Sequence, residues 1–306
     1  MNTGTLALLS GISLLAVWYV WRWISLERGR GGIGEANKWT SLRTGDVIIG
    51  FITLFFDTLG IGAFAPTIAI FKLKRRMPDE RIPGTLNAGH SLPAVAEALI
   101  FIAIVRVDLR TLIGMIVASM LGASFGVRIV FHLPRRGIQL AMGVALLIAA
   151  LLSFAKNLQW MPTGGDAWGL QGAVLFFAVA VSFLLGALMM VGVGYFAPCL
   201  ILLSLLGMNP LAAFPIMMGA CAFLMPIGGA SFIRSGLYDR RTSLGLTLGG
   251  VPGVLVAAYV VKSLPLQWLR WLVVLVVLYA ACLMLVSAVR KPARVESPAA
   301  QCDSAV

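Results

Sequence analysis

Charge is scarce in this sequence: 12% of its 306 residues are Asp, Glu, Lys or Arg, about half the share of a soluble domain. With 59% apolar residues and a mean hydropathy of +0.94, so little charge excludes both an ordinary cytosolic enzyme and a disordered chain. Histidine is scarcer still, with two residues, and the four cysteines (Cys199, Cys221, Cys282, Cys302) are too far apart for a CxxC metal or redox motif. The first three lie in apolar runs and read as small packing residues, so neither a disulfide framework nor a metal centre is expected. Residues 1–4 lack Lys and Arg, and no small-residue cleavage pattern follows. Residues 5–21 therefore read as a retained helix, edged by Trp18, Tyr19, Trp21 and Trp23 as an interfacial belt.

What fills the chain instead is apolar helix. A span needs about 20 apolar residues, and such runs fall at 5–21, 83–105, 111–131, 138–155, 211–233, 243–261 and 268–289. Two more, 46–71 and 170–207, are interrupted by Gly60-Ile61-Gly62-Ala63-Phe64-Ala65-Pro66 and Gly192-Val193-Gly194-Tyr195-Phe196-Ala197-Pro198. Glycine weakens a helix and proline removes a backbone donor, so both runs are expected to break at membrane depth.

The two breaks share the pattern G-x-G-x-F-A-P at an offset of 132 residues, which also relates Pro83 to Pro215. At an offset of 131, Asp108, Arg110, Thr111 and Gly114 match Asp239, Arg241, Thr242 and Gly245; Gly122 matches Gly253, and Leu133-Pro134 matches Leu264-Pro265. Such collinearity indicates two homologous halves. The expected organisation is an N-terminal helix with a basic connector (1–45), a first membrane repeat (46–156), a linker (157–167), a second repeat (168–290) and a flexible tail (291–306).

Charge orients the halves. If both broken runs crossed the membrane, Lys and Arg would divide 14 against 10 between its sides; if both fold back as re-entrant hairpins, the split is 19 against 5. The second arrangement gives each repeat a hairpin plus three spans, an odd number, and hence an inverted repeat. The fold class is then an all-α polytopic membrane protein, with the N-terminus outside and the C-terminus cytoplasmic. The net charge of +12 sits in short connectors, so its partner is anionic lipid rather than nucleic acid.

Non-helical backbone is tolerated in a membrane only where it is buried in protein or lines a polar cavity. The matched breaks therefore mark a candidate site: Gly60, Gly62, Ala63 and Pro66 in the first half, Gly192, Gly194, Tyr195 and Pro198 in the second. The half-helices starting near Phe64 and Phe196 aim free N–H groups and a positive dipole end at the gap, an arrangement suited to an anion. The bland alternative for such glycines is close helix packing. Asn87, His90, Ser91 and Glu97 share helix 83–105; Asn87 and Ser91 are candidates for substrate hydrogen bonding, and Asp57, His90 and Glu97 for proton coupling. Met217, Met218 and Met225 read as packing, and Lys72, Lys74, Arg75 and Arg76 as a headgroup-facing stop signal.

The twin glycine-proline breaks, each followed by a Pro-initiated helix (Pro83-Gly84-Thr85 and Pro215-Ile216-Met217), resemble the TauE/SafE-type permeases, the sulfite/organosulfonate exporter family, over about 46–290. The resemblance implies secondary transport, outward, of small sulfur-containing anions such as sulfite or sulfonates, without a cofactor. The family's usual run of three glycines is reduced here to Gly60-Ile61-Gly62-Ala63 and Gly192-Val193-Gly194-Tyr195. No Walker A sequence is present. An intramembrane enzyme is disfavoured: Gly122–Phe125 and Gly229–Phe232 faintly resemble nucleophile turns, yet His90 and His132 are the only imidazole bases. A passive anion channel or a carrier of another small organic anion stays open, and the sequence is silent on oligomeric state.

Overall fold

The computed structural model describes residues 3–29, 42–158, 160 and 165–260. The expected span at 268–289 and the tail at 291–306 lie outside them, as do Leu264-Pro265, Cys282 and Cys302. The described chain forms helices α1 (Thr3–Arg28), α2 (Thr44–Thr58), α3 (Phe64–Leu73), α4 (Ile82–Ile104), α5 (Leu109–His132), α6 (Arg135–Asn157), α7 (Gly172–Val191), α8 (Phe196–Leu205), α9 (Pro210–Ser235) and α10 (Arg240–Val260). A 3₁₀ turn at Asp79–Arg81 leads into α4. Six of these helices, α1, α4 with its leading turn, α5, α7, α9 and α10, are long and apolar enough to cross a membrane.

The repeated Asp-x-Arg-Thr sequence is a pair of helix caps. Asp108 Oδ2 accepts from Thr111 N–H at 2.9 Å to start α5, and Asp239 Oδ1 accepts from Thr242 N–H at 2.8 Å to start α10. Each threonine hydroxyl then ties its helix to a neighbour: Thr111 Oγ1 accepts from Leu170 N–H just before α7, and Thr242 Oγ1 donates to Asp46 at the start of α2.

The pairs these contacts begin run the length of the bundle, α5 beside α7 and α10 beside α2, both parallel. Glycine sets their spacing. A Cβ on Gly122 would stand 1.9 Å from the Phe183 carbonyl oxygen, and one on the equivalent Gly253 2.4 Å from that of Phe51. Lipid is as apolar as the helices, so close backbone approach, rather than the hydrophobic effect, holds such seams together. Between the two pairs α4 and α9 cross antiparallel: Gly84 meets Phe232 and Leu237, whereas Gly219 meets Ile102. Pro93 inside α4 removes the donor that would satisfy Gly89 C=O, and Thr247 Oγ1 of α10 supplies it at 2.7 Å.

Both broken runs fold back on themselves. Arg76, after α3, is 3.0 Å from Asp46 at the start of α2, so this hairpin begins and ends at one end of the bundle, end A. After α8, Met208 pairs with Ala167 ahead of α7, closing the second hairpin at the opposite end B. The 3₁₀ turn and the α9–α10 turn also lie at end A, with Lys72 2.7 Å from Asp79, which accepts from Gln139 of α6 at 2.6 Å. Lys72 and Arg76 thus make internal ion pairs, whereas Lys74 and Arg75 are exposed. The reading of all four as a headgroup-facing signal needs that correction.

A second correction concerns α1. Helix continues through Arg22 to Arg28, and Tyr19 and Trp23 are buried rather than interfacial. Tyr19 Oη donates to Ala88 C=O of α4 at 2.9 Å, and Trp23 Nε1 donates to Tyr238 Oη at 3.2 Å. Tyr238 in turn donates to Glu27, which pairs with Arg240 at 3.1 Å. Burial and the Glu27 carboxylate push the Tyr238 hydroxyl pKa up and keep it a donor. Only Trp18 and Trp21 face outward as expected.

If the seams are as tight as described, Gly122→Ala and Gly253→Ala should each destabilise the protein by about 1–3 kcal/mol through overpacking, while Leu121→Ala on the outward face of α5 should not. Thermal melts in detergent check this; a wild-type melt for both glycine variants would contradict the packing.

Candidate functional site

The two hairpins point at each other. A Cβ on Gly62 would lie 3.7 Å from Phe196 Cβ, and one on the equivalent Gly194 3.4 Å from Phe64 Cβ. Since α3 begins at Phe64 and α8 at Phe196, the N-termini of both half-helices meet at the tips. At 1.5 Å per residue each ten-residue half-helix covers about 15 Å, half the thickness of a bilayer core. The tips therefore sit near mid-depth.

Glycine is required here by backbone geometry. Gly60, Gly62 and Gly192 have φ of 81°, 91° and 109°, a region other residues enter at a cost; Gly192 ends α7 in that conformation, its N–H reaching back to Met189 C=O. Gly194 does not, so its lack of a side chain matters for space alone. Pro66 and Pro198 occupy the third position of their half-helices, where a missing N–H costs little. Among the described residues the N–H groups of Phe64, Ala65, Phe196 and Ala197 make no hydrogen bond, four donors at membrane depth beside two positive dipole ends.

The halves differ in what surrounds these donors. In the first, Asp57 Oδ1 accepts from Ala63 N–H at 2.6 Å, so a carboxylate of α2 caps α3 across the break. In the second, Met189 stands where Asp57 does. Thr58 Oγ1 bonds both Leu54 C=O at 2.9 Å and Glu97 Oε1 at 2.8 Å, which links α2 to α4. His90 lies edge-on to Phe64 with ring centroids 5.7 Å apart. Both its ring nitrogens, Glu97 Oε2 and Asn87 Oδ1 are buried without a hydrogen-bond partner among the described residues, a costly state for polar groups at this depth.

The other expected residues are placed less directly. Asn87 Nδ2 donates to Pro83 C=O and Ser91 Oγ to Asn87 C=O, so both turn onto their own helix, with Asn87 Oδ1 facing Gly228 of α9. Tyr195 points away from the gap: Ser182 Oγ spends its proton on Met115 C=O at 2.7 Å, so Tyr195 Oη donates to Ser182, also at 2.7 Å. Thr58, Phe64 and Phe196 belong to the tips although they were not among the expected ligands; the repeated phenylalanine at equal offsets was the signal for two of them. Cys221 of α9 lies within electrostatic range of Asp57, Glu97 and Cys199.

The glycines at the tips, Gly60, Gly62 and Gly194, are half-buried, while the larger side chains around them are enclosed. Asp57, Phe64, His90, Glu97 and Phe196 are all buried. A cavity of about 610 Å³ opens instead at end B, lined by Thr5, Ile104, Arg106 and Leu109 among others, and it does not extend to the tips.

Six apolar helices long enough to span, with two broken hairpins between them, make a multi-pass membrane protein, and comparison with family models gives the finer assignment, a transporter family. The sulfite exporter TauE/SafE model matches residues 2–153 and 174–303, and the chain belongs to that family. Comparison with curated proteins and with solved structures finds no match.

Because its hydroxyl is used in packing, Tyr195→Phe should cost about 1 kcal/mol of stability, the worth of one neutral hydrogen bond. Its transport KM should be unchanged. A KM raised tenfold or more at wild-type stability would return Tyr195 to the substrate.

Proposed function

We propose that this protein is a secondary transporter that exports small sulfur-containing anions, such as sulfite or organosulfonates, across the plasma membrane. The observation that carries this reading is the meeting of two half-helix N-termini at mid-depth with unpaired N–H donors. A sulfonate or sulfite oxyanion is bound there by backbone dipoles, with no fixed positive side chain. Gly60, Gly62, Ala63, Pro66, Gly192, Gly194 and Pro198 shape the binding site, with Asn87, Ser91 and Tyr195 at its margins. Asp57, His90 and Glu97 are the groups proposed to carry protons. Family membership supports a transporter rather than an enzyme.

The architecture is proposed to be an inverted repeat, 46–156 and 168–290, behind one extra helix. Three features support it: α4 and α9 are antiparallel, the hairpins close at opposite ends, and α2–α10 packing repeats as α7–α5. Connectors rich in Lys and Arg gather at end A, which is therefore proposed as cytoplasmic. End B, with the start of α1, is outside. Single cysteines at Arg75 and Arg241, on a cysteine-free background, should both resist an impermeant reagent in intact cells, while one at Trp168 should react. Labelling of Arg75 and Arg241 on different sides would overturn the inverted arrangement.

Transport is tested in liposomes loaded with radiolabelled sulfite or methanesulfonate. Wild type should show counterflow, which a channel does not. Gly194→Leu fills the gap against Phe64 and should abolish flux at near wild-type thermal stability; Gly194→Ala, whose Cβ sits at ordinary contact distance, should retain most of it. Normal flux through a folded Gly194→Leu protein would refute the site.

A further inference from the structure

Resting on the reading of the tips as the anion site, we propose that the Asp57 carboxylate is a tethered stand-in for the transported anion. It holds the α3 N-terminus while the site is empty and becomes neutral, taking up one proton, when an oxyanion settles between the tips. The proton balance is simple: a bound monoanion plus a protonated Asp57 replaces an ionised Asp57 alone, so the site keeps one negative charge throughout.

The argument starts from an asymmetry. Asp57 sits in the last turn of α2, where the helix dipole disfavours a carboxylate, and reaches across the break to Ala63 N–H at the N-terminus of α3, where the dipole favours one. The second hairpin has the same backbone break but carries Met189 and Met190 in place of Asp57 and Thr58. Of two equivalent helix N-termini, one is already served by a side-chain anion. The other, at Phe196 and Ala197, keeps its donors unpaired among the described residues.

An oxyanion on those donors lies beside Phe64, because Gly194 packs on Phe64, and so next to the carboxylate that caps Ala63. Two like charges about 6 Å apart at an effective dielectric constant of about 20 oppose each other by roughly a hundredfold in binding. Protonation of Asp57 removes that opposition.

No lysine or arginine pairs with Asp57 among the described residues to do it instead. From α4 come Glu97, of the same sign and linked through Thr58, and His90, which stands against Phe64 with both nitrogens unpartnered. From α9 comes Cys221. The stretch of α10 packed here, Gly250 to Ala257, has no titratable residue. No ion pair involves Asp57 among the described residues.

The experiment uses the full-length protein and methanesulfonate, which stays a monoanion from about pH 5 to about pH 9, in calorimetric titrations with buffers of different ionisation enthalpy. Wild type should bind with uptake of about one proton per anion on the alkaline side. Its Kd there should weaken about tenfold per pH unit. Asp57→Asn, checked for folding by gel filtration and melting, should bind without proton uptake, with one Kd across the range within about threefold of the wild-type acid limit.

Wild-type binding with no proton uptake would overturn the role given to Asp57 and leave the anion site standing, as would a pH slope that persists in Asp57→Asn. Folded Asp57→Asn that binds no methanesulfonate even at acid pH would overturn it too. Absence of binding to wild type at every pH would overturn both this proposal and the anion site beneath it.

Discussion

Backbone hydrogen-bonding groups cannot be left to water in the middle of a bilayer, and everything distinctive about this protein follows from where it breaks that rule. Both breaks cost helical hydrogen bonds at Gly60–Ala63 and Gly192–Tyr195. The chain recovers part of that cost by turning each broken run into a hairpin whose tip is buried against the other. Gly62 against Phe196 and Gly194 against Phe64 are the contacts that keep the exposed donors away from lipid. The rest of the bundle serves to hold those tips in register: glycine seams bring α2 to α10 and α7 to α5, and the Asp108 and Asp239 caps fix the ends of those seams.

Symmetry in the backbone contrasts with asymmetry in the side chains. The two halves repeat their breaks, caps and seams almost residue for residue, yet Asp57, Thr58, His90 and Glu97 in the first half face Met189, Met190, Ala222 and Gly229 at the same offset in the second. Of the two tips, only the first carries a carboxylate, Asp57. The added helix α1 ties the two halves together, since Tyr19 donates to Ala88 on α4 while Trp23 and Glu27 bind the α9–α10 turn.

Much of this was legible in the sequence, and the reasons differ from element to element. The breaks were readable because Gly and Pro act locally: the half-helices begin at Phe64 and Phe196, where the motif places them. The long helices followed from length and hydropathy. Tyr19 and Trp23 were misread as an interfacial belt because aromatic position along one helix carries no information about which face α4 and α9 cover. Lys72 and Arg76 were misread for the same reason, as Asp79 and Asp46 reach them only through the fold. The contacts between the two tips, Gly62 with Phe196 and Gly194 with Phe64, join residues 134 and 130 positions apart and have no local signature. The capping of Ala63 by Asp57 spans only six residues, yet it exists only because the break turns α3 back toward the end of α2.

The central claim is that the meeting point of the two tips is where the anion sits. A crystal structure of the protein soaked in selenite, with anomalous data at the selenium edge, tests it most directly. A selenium peak within hydrogen-bonding reach of the Phe196 and Ala197 N–H groups, beside Phe64, is the predicted result. A well-occupied peak confined to the exposed basic residues of end A, such as Lys74 and Arg75, with nothing between the tips, would contradict it.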